Sequence, residues 1–191
     1  MSLFFLFFLG KSNVQRGDTF GFYPIIVTGP YGQAIQNFFD LNHLDSKASH
    51  ANILKKIIYE LNHYQNIEKN IEKLEQLMAL NNGNAAFILG TIYEFGLFNK
   101  EMNDELALQY YQLGSRFSSY ESKSSLAFFY HYGIAGLDVD LNKSKDLTQE
   151  TMNRCVYSAL RMATMLHDNN QTEKALSILF PLAQLVVSNS T

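Results

Sequence analysis

The histidines and acidic residues are the side chains of this sequence that could perform metal-ion or acid–base chemistry. The histidines are His43, His50, His63, His131 and His167. No two of them lie three or four positions apart, so no helix can present a pair to a metal ion. The carboxylates of Glu101, Asp104 and Glu105 suit the solvated first turn of a helix, where they interact favourably with the helix dipole. We therefore predict no catalytic residue, no metal site and no cofactor, and a protein that is not an enzyme.

A stretch at residues 20–32 has the composition of a β-strand followed by a turn. Its glycines, Gly29 and Gly32, could cradle a phosphate group ahead of a helix, as nucleotide-binding loops do. The motif that begins at Gly29 lacks a third glycine and a following Lys-Ser/Thr pair, and no alternation of strands and helices follows it. We therefore favour an extended segment that ends in a Gly-Pro turn, and nucleotide binding is the alternative.

The composition is that of a globular chain of one domain. Of the 191 residues, 47% are hydrophobic and 17% are charged, and the net charge is −3. This charge provides no basic surface, so we predict no nucleic-acid partner. The single cysteine, Cys155, can form no internal disulfide and is expected to be a small buried side chain.

A pattern of residues recurs at an interval of 37 positions and organises the chain. In each copy a helix with apolar residues on one face ends at a glycine, and a second helix follows. Self-similarity with a period of about 20–50 residues indicates stacked structural units. The signature residues are Leu89, Gly90, Tyr93, Gly96, Ala107 and Tyr110 in the first copy, and Leu126, Ala127, Tyr130 and Gly133 in the second.

The helical spacing predicts an all-α chain built as a solenoid of αα-hairpins, with Gly90 where two helices cross closely. We expect one extra residue in the second loop, at residues 133–136, and Asn142 in a loop between helices. The expected helical domain, 50–187, contains a hairpin at 50–80, repeats at 84–115 and 122–153, and a partial unit at 155–187. Residues 1–49 are expected to form an irregular N-terminal segment.

The first copy resembles the Sel-one-like repeat, a longer relative of the tetratricopeptide repeat. The family pattern A-x-x-x-L-G-x-x-Y-x-x-G, followed by K-A-x-x-x-Y, is similar to residues 85–96 together with Ala107 and Tyr110-Tyr111. The second copy departs from it at Ala127, and Leu147-Thr148 replaces the tyrosine pair. The resemblance implies a protein-binding scaffold that receives a peptide or a partner helix in a concave groove.

The order of the units resembles the start of the repeat array in the lumenal adaptor subunits of the HRD ubiquitin ligase, and residues 106–115 are similar to segments of those subunits. The resemblance implies an adaptor in endoplasmic-reticulum-associated degradation. Its implied partners are ligase subunits or misfolded glycoproteins, and its implied location is the endoplasmic reticulum lumen. Because those subunits are several times longer and carry a membrane anchor, we expect a piece of such an array or a short paralogue. The alternative is a cytosolic or secreted Sel-one-like scaffold with no part in degradation.

Residues 1–10 form a strongly apolar run that could be a secretory signal peptide, a buried N-terminal segment or a misassigned start of the chain. The run is too short for a membrane span, which needs about 20 residues, and its first positive charge, Lys11, comes only after it. If the chain enters the lumen, Asn142 and Asn170 are the accessible glycosylation acceptors. The sequence contains three such sequons, and its composition predicts about two by chance, so they do not indicate secretion.

The last expected helix, at residues 173–187, is too apolar on all sides for a cap that faces solvent. Leu182 and Val186 are among its apolar residues. Exposed apolar patches usually mark association surfaces. We therefore expect this helix either to fold back over the stack or to be covered by a further repeat or a partner, and we predict that the chain alone self-associates.

Overall fold

The computed structural model describes residues 51–152 and 154–188, and all regular secondary structure within them is helical. This confirms the prediction of an all-α chain for that part of the sequence. The expectations for residues 1–10 and for the strand-like stretch at 20–32 lie outside the described residues. The side chains of Leu182 and Val186 also lie outside them, so the expected self-association remains a prediction.

Eight α-helices and two short 3-10 helices make up the described part of the chain. None of these helices is both long enough and apolar enough to cross a membrane. The α-helices are α1 (Ala51–Asn62), α2 (Ile67–Ala79), α3 (Gly83–Phe95), α4 (Asp104–Arg116), α5 (Tyr120–Tyr132), α6 (Leu141–Thr151), α7 (Val156–Asp168) and α8 (Thr172–Ser188), and the 3-10 helices are η1 (Leu97–Asn99) and η2 (Ile134–Gly136).

Helices that follow one another in sequence pack against each other, most extensively within the pairs α3/α4, α5/α6 and α7/α8. In addition, α3 packs on α5 and α5 packs on α7. The first helices of the three pairs therefore lie side by side, and we call α3, α5 and α7 the first-helix row. Side chains from different pairs meet along this row.

The apolar core of the described residues consists of three clusters. The first joins α1, α2, α3 and η1, and the second joins α4, α5 and α6. Phe87 of α3 packs against both of these clusters and connects them. The third cluster is small and contains residues of α7 and α8 alone, namely Ala163, Ala175 and Leu179 with Leu160, Leu166 and Ile178 around them.

The turn inside each helix pair has the same backbone geometry in both copies of the 37-residue pattern. Gly96 (φ 62°) and Gly133 (φ 65°) end α3 and α5 in the left-handed conformation, which glycine adopts without steric cost. Two residues further on, Phe98 (φ 57°) and Ala135 (φ 58°) are also left-handed. The repeat seen in the sequence is therefore also a repeat of backbone conformation.

The extra residue expected in the second loop is absent, so that prediction is wrong. Asn103 N donates to Tyr93 O in the first copy, and Asp140 N donates to Tyr130 O in the second, both at 2.9 Å. These bonds join equivalent positions 37 residues apart, which leaves no room for an insertion. Gly136 had suggested an insertion, but it occupies the position equivalent to Asn99 of the first loop, and both residues have a left-handed backbone.

The second helix of each pair begins at a side-chain cap. The Oδ1 atom of Asn103 accepts from Leu106 N (2.8 Å), and the Oδ1 atom of Asp140 accepts from Lys143 N (2.9 Å). Such caps satisfy a backbone N–H that the first helical turn leaves without a partner. Asp140 is the N-cap of α6, so Asn142 lies in the first turn of that helix. The prediction that Asn142 lies in a loop is therefore wrong.

Replacement of Ala135 by glycine should stabilise the protein slightly. Backbone strain of an L-residue in the left-handed region destabilises the folded protein by about 1–2 kcal/mol. Glycine avoids this strain, but its greater conformational freedom in the unfolded chain lowers stability by about 0.5–1 kcal/mol. We expect a net gain of about 0.5 kcal/mol, measured as a higher urea midpoint with an unchanged slope. A lower midpoint would mean that the methyl group of Ala135 contributes more by packing than the backbone loses by strain.

Candidate functional site

The signature residues of the repeat lie at the contacts between helices. Leu89, Ala107, Leu126 and Ala127 are buried. Gly90 lies against the ring of Tyr111, which belongs to the other helix of the same pair, and an added Cβ atom would come within 2.5 Å of that ring. These positions therefore pack the fold, and none of them presents a reactive group.

The signature tyrosines are partly buried and lie near the turns of the two copies. The rings of Tyr93 and Tyr110 stack at a centroid distance of 5.7 Å and an interplanar angle of 17°. In the second copy, the ammonium group of Lys143 lies 4.1 Å from the ring centroid of Tyr130. The signature tyrosine of the first helix is thus covered by a second tyrosine in the first copy and by a lysine in the second copy.

The most polar site in the described core is formed by one charged residue from each end of the first-helix row. Glu94 is the only charged residue of α3, and Arg161 lies in the middle of α7 among apolar residues. Both are buried, with exposed fractions of 3% and 7%. Tyr111 of α4 and Tyr157 of α7 are buried beside them. We call these four residues the ion-pair cluster.

Hydrogen bonds satisfy most of the polar atoms of the ion-pair cluster. One guanidinium nitrogen of Arg161 donates to both carboxylate oxygens of Glu94, at 2.7 and 2.6 Å. The same nitrogen donates to the hydroxyl oxygen of Tyr157. The hydroxyl of Tyr111 donates to Glu94 Oε2 at 2.6 Å. The carboxylate thus binds two donors, one from α7 and one from α4.

The electrostatics of the ion-pair cluster favour a charged guanidinium group on Arg161 and neutral hydroxyl groups on the two tyrosines. Burial alone would lower the pKa of Arg161, but the Glu94 carboxylate and the side chains of Tyr157 and Tyr111 together outweigh burial, and the pKa is raised. Burial and the charge of Glu94 raise the pKa of Tyr111 well above its usual value. Burial likewise raises the pKa of Tyr157. Both tyrosines are therefore neutral at physiological pH, Tyr111 as a donor to Glu94 and Tyr157 as an acceptor from Arg161.

Aromatic rings surround the guanidinium group of Arg161. Its central carbon lies 4.2 Å from the ring centroid of Phe128, 4.9 Å from that of Tyr157 and 5.8 Å from that of Phe95. Phe128 lies on α5, so Arg161 reaches Glu94 by crossing the middle helix of the row. A cation over aromatic faces is stabilised by the charge distribution of the rings, which partly compensates for the loss of water.

The ion-pair cluster is closed to a substrate, because each of its four side chains is less than a tenth exposed. Its carboxylate is held by two donors and has no open side on which to accept a proton from a bound molecule. The cluster therefore holds helices together. The sequence analysis missed it, although a signal was present, since Glu94 is the only charged residue of α3 and Arg161 is the only charged residue in the middle of α7.

A second buried carboxyl group lies at the start of α5. Glu121 is 9% exposed and accepts a hydrogen bond from Ser119 Oγ at 3.1 Å. Burial raises the pKa of this carboxyl group above its usual value, against the lowering effect of its hydrogen bonds. Cys155 is buried as expected, and burial together with the nearby Glu121 charge raises the pKa of its thiol to about 12. The thiol is therefore protonated at physiological pH and is a poor nucleophile.

Replacement of Glu121 by glutamine should stabilise the protein more at pH 8 than at pH 4. Because folding raises the pKa of Glu121, its contribution to stability is fully present below the unfolded pKa and is lost as the pH rises through the folded pKa. The gain is about 1.4 kcal/mol for each unit by which the pKa is raised. Urea unfolding of both proteins from pH 4 to pH 8 measures it.

The matched control for this prediction is Glu72→Gln, which changes an exposed carboxylate of α2. Its difference from the wild type should stay nearly constant across the same pH range. A constant difference for Glu121→Gln as well would contradict the raised pKa of Glu121.

The described histidines do not gather into a metal site. Within residues 51–152 and 154–188, no group of three or more His, Cys, Asp or Glu side chains could hold a metal ion. His131 lies on α5, with its Nε2 atom 3.4 Å from Asn169 Nδ2, and burial lowers the pKa of its imidazole. Beside it, the hydroxyl of Tyr132 donates to Asp168 Oδ2 and links α5 to α7.

The two sequons differ in local structure. Asn142 is exposed in the first turn of α6, but Ser144 of the same sequon is buried. Asn170 is exposed in the turn between α7 and α8, with a left-handed backbone (φ 60°). Both asparagine side chains could carry a glycan without entering the core.

Exposed apolar side chains occur at equivalent positions of the two turns. Met102 is 47% exposed and Val139, 37 residues later, is 61% exposed. Leu141, at the start of α6, is 58% exposed. We call Met102, Val139 and Leu141 the loop edge. It is a surface on which a protein partner could bury apolar area.

Comparisons of this chain with protein-family models, with curated proteins and with solved structures found no match. What the residues do is therefore inferred from their chemistry and geometry.

Proposed function

We propose that the protein is a non-catalytic scaffold for protein–protein interaction, built from stacked αα-hairpins of the Sel-one-like type. The observation that carries this proposal is the 37-residue repeat of cap, helix, left-handed glycine and turn, together with the side-by-side packing of α3, α5 and α7. Repeated hairpins cover one another's apolar faces and leave extended surfaces for partners.

The surface that we assign to a partner is the loop edge. Its apolar side chains are exposed, and Met102 and Val139 occupy equivalent positions of the two copies, so a partner that follows the array would contact both copies in the same way. The ion-pair cluster is buried and is bound mostly by the chain's own residues, so it is a weaker candidate for contact with a partner.

A finer proposal is an adaptor role in endoplasmic-reticulum-associated degradation, with subunits of a ubiquitin ligase or misfolded glycoproteins as partners. It is supported by the hairpin α1/α2, which directly precedes the first repeat in the order that the sequence resemblance implies. A lumenal location goes with this role. The alternative is a cytosolic or secreted Sel-one-like scaffold with no part in degradation.

Photo-crosslinking in cells tests the scaffold proposal. A photoreactive amino acid at Val139 should yield discrete adducts with another protein, whereas one at Leu80 should not. Leu80 is a matched control because it is 64% exposed but lies in the turn between α2 and α3, away from the loop edge. Replacement of Met102 by glutamate should abolish the Val139 adducts. If no adduct forms at Val139, the loop edge is not the partner surface.

Two readouts separate the adaptor role from its alternative. In the adaptor role, the adducts contain ubiquitin-ligase subunits, and deletion of the protein slows the degradation of a misfolded lumenal glycoprotein. A lumenal protein should also lose mass on endoglycosidase treatment, and Asn142→Gln and Asn170→Gln together should abolish that loss. A protein without a glycan that crosslinks only to cytosolic partners would leave the generic scaffold as the function.

A further inference from the structure

The contact between α7/α8 and the rest of the protein is more polar than the contacts among α1 to α6. The first and second apolar clusters are joined through Phe87, but the third contains residues of α7 and α8 alone. Apolar packing thus makes α1 to α6 one continuous unit. The helices α7 and α8 have a small core of their own and are attached to that unit mainly by other contacts.

Side-chain hydrogen bonds attach both ends of α7 to α5 and α6, beside the aromatic contact of Tyr157 with Phe87. Ser158 Oγ lies 2.6 Å from Thr151 Oγ1 of α6, and both residues are buried. Near the other end of α7, the hydroxyl of Tyr132 donates to Asp168. Permanent interfaces resemble an apolar core, whereas interfaces between units that separate and rejoin are more polar. The α7 attachment has the character of the second kind.

Among the described residues, Glu94 and Arg161 form the one ion pair that crosses this polar contact. The pair joins α3 and α7, which are not neighbours in the first-helix row. A buried ion pair adds little net stability, because removing both charges from water costs about as much as their attraction returns. The Nε atom of Arg161 is buried without a hydrogen-bond partner, which adds to that cost. The pair therefore specifies where α7 sits more than it strengthens the fold.

We propose that α7 and α8 form a terminal unit that opens and closes against α1 to α6, with the Glu94–Arg161 pair as the latch. In the closed state, the rings of Tyr157 and Phe87 meet edge to face at a centroid distance of 5.1 Å, and Arg161 covers Phe128. Opening exposes Phe87 and Phe128, which lie on α3 and α5. The closed state thus hides an aromatic surface of the first-helix row.

Hydrogen exchange of the full chain, followed by mass spectrometry, tests this inference. In the wild type at low urea, amides of α7 and α8 should exchange through a partial opening that depends less on urea than the exchange of α3 and α5. The variant Glu94→Gln removes the charge of the latch and leaves Arg161 unpaired. It should speed exchange in α7 and α8 by about tenfold or more and leave α3 and α4 nearly unchanged.

The matched control is Glu68→Gln, which removes the carboxylate from an exposed ion pair with Lys100. It should leave exchange in α7 and α8 unchanged. Equal acceleration in all helices of Glu94→Gln would overturn the inference, because the pair would then stabilise the whole fold uniformly. Unchanged exchange would overturn it as well. If Glu94→Gln does not fold, hydrogen exchange of the wild type over a range of urea concentrations tests the inference instead. If the amides of α3 to α8 then all exchange through the same opening, α7 and α8 are not a separate terminal unit.

Discussion

Replacement of Gly90 by leucine should destabilise the protein by at least about 3 kcal/mol, near the upper end of what overpacking costs. A Cβ atom at this position would lie 2.5 Å from Cε1 and 2.7 Å from Cδ1 of Tyr111. Tyr111 is fully buried, so its ring has no free space into which it could move. Moving the ring would also break the hydrogen bond from its hydroxyl to Glu94. Urea unfolding measures the loss.

A smaller substitution gives the sharper form of this test. In a helix, replacement of glycine by alanine normally stabilises by about 1 kcal/mol, so a loss in Gly90→Ala can be assigned to the contact with Tyr111. The double variant Gly90→Ala/Tyr111→Leu should be more stable than the sum of the two single changes predicts, by about 0.5–3 kcal/mol. Strict additivity would mean that the methyl group at position 90 does not meet Tyr111.

The equivalent pair in the second copy explains how one backbone arrangement tolerates different residues. Gly90 and Tyr111 correspond to Ala127 and Thr148, 37 positions later. Compared with the first copy, the second copy has a larger residue on its first helix and a smaller residue on its second helix. The smaller threonine removes the ring that an alanine would meet on the first helix, so the second copy needs no glycine at this crossing.

Features that depend on residues close in sequence could be predicted. Spacing of apolar residues placed the helices, and glycine marked the turns, because a left-handed backbone favours that residue. The errors were also local and have a physical cause. Ala135 and Phe98 occupy left-handed positions that no glycine marks, so the sequence gives no sign that the two loops have the same length.

The ion-pair cluster could not be predicted, because its partners lie 67 positions apart on helices that are not neighbours. A sequence can indicate that a charge lies on an apolar helix, and it does so at Glu94 and at Arg161. It does not state which of several distant charges the folded chain brings to that point. The pairing depends on how α7 packs on α5, which is a property of the assembled fold.

Replacement of Arg161 by methionine should cost about 3–5 kcal/mol, because it leaves the Glu94 carboxylate buried without its counter-charge. After this change, the Tyr111 hydroxyl would remain as a donor to Glu94. The double variant Glu94→Met/Arg161→Met should recover part of the loss, since it removes both buried charges, although the hydroxyls of Tyr111 and Tyr157 lose these two hydrogen-bond partners. Urea unfolding of the wild type, the two single variants and the double variant gives the complete cycle.

The exposed ion pair of Lys100 and Glu68 provides the control, and removal of its lysine should cost much less than removal of Arg161. A double variant that is as unstable as Arg161→Met alone would contradict the argument, because the loss would then come from packing around the guanidinium group. If the double variant instead matches the wild type in stability, the buried pair is not needed to hold the fold together. Its remaining role is then to fix the position of α7 relative to α3.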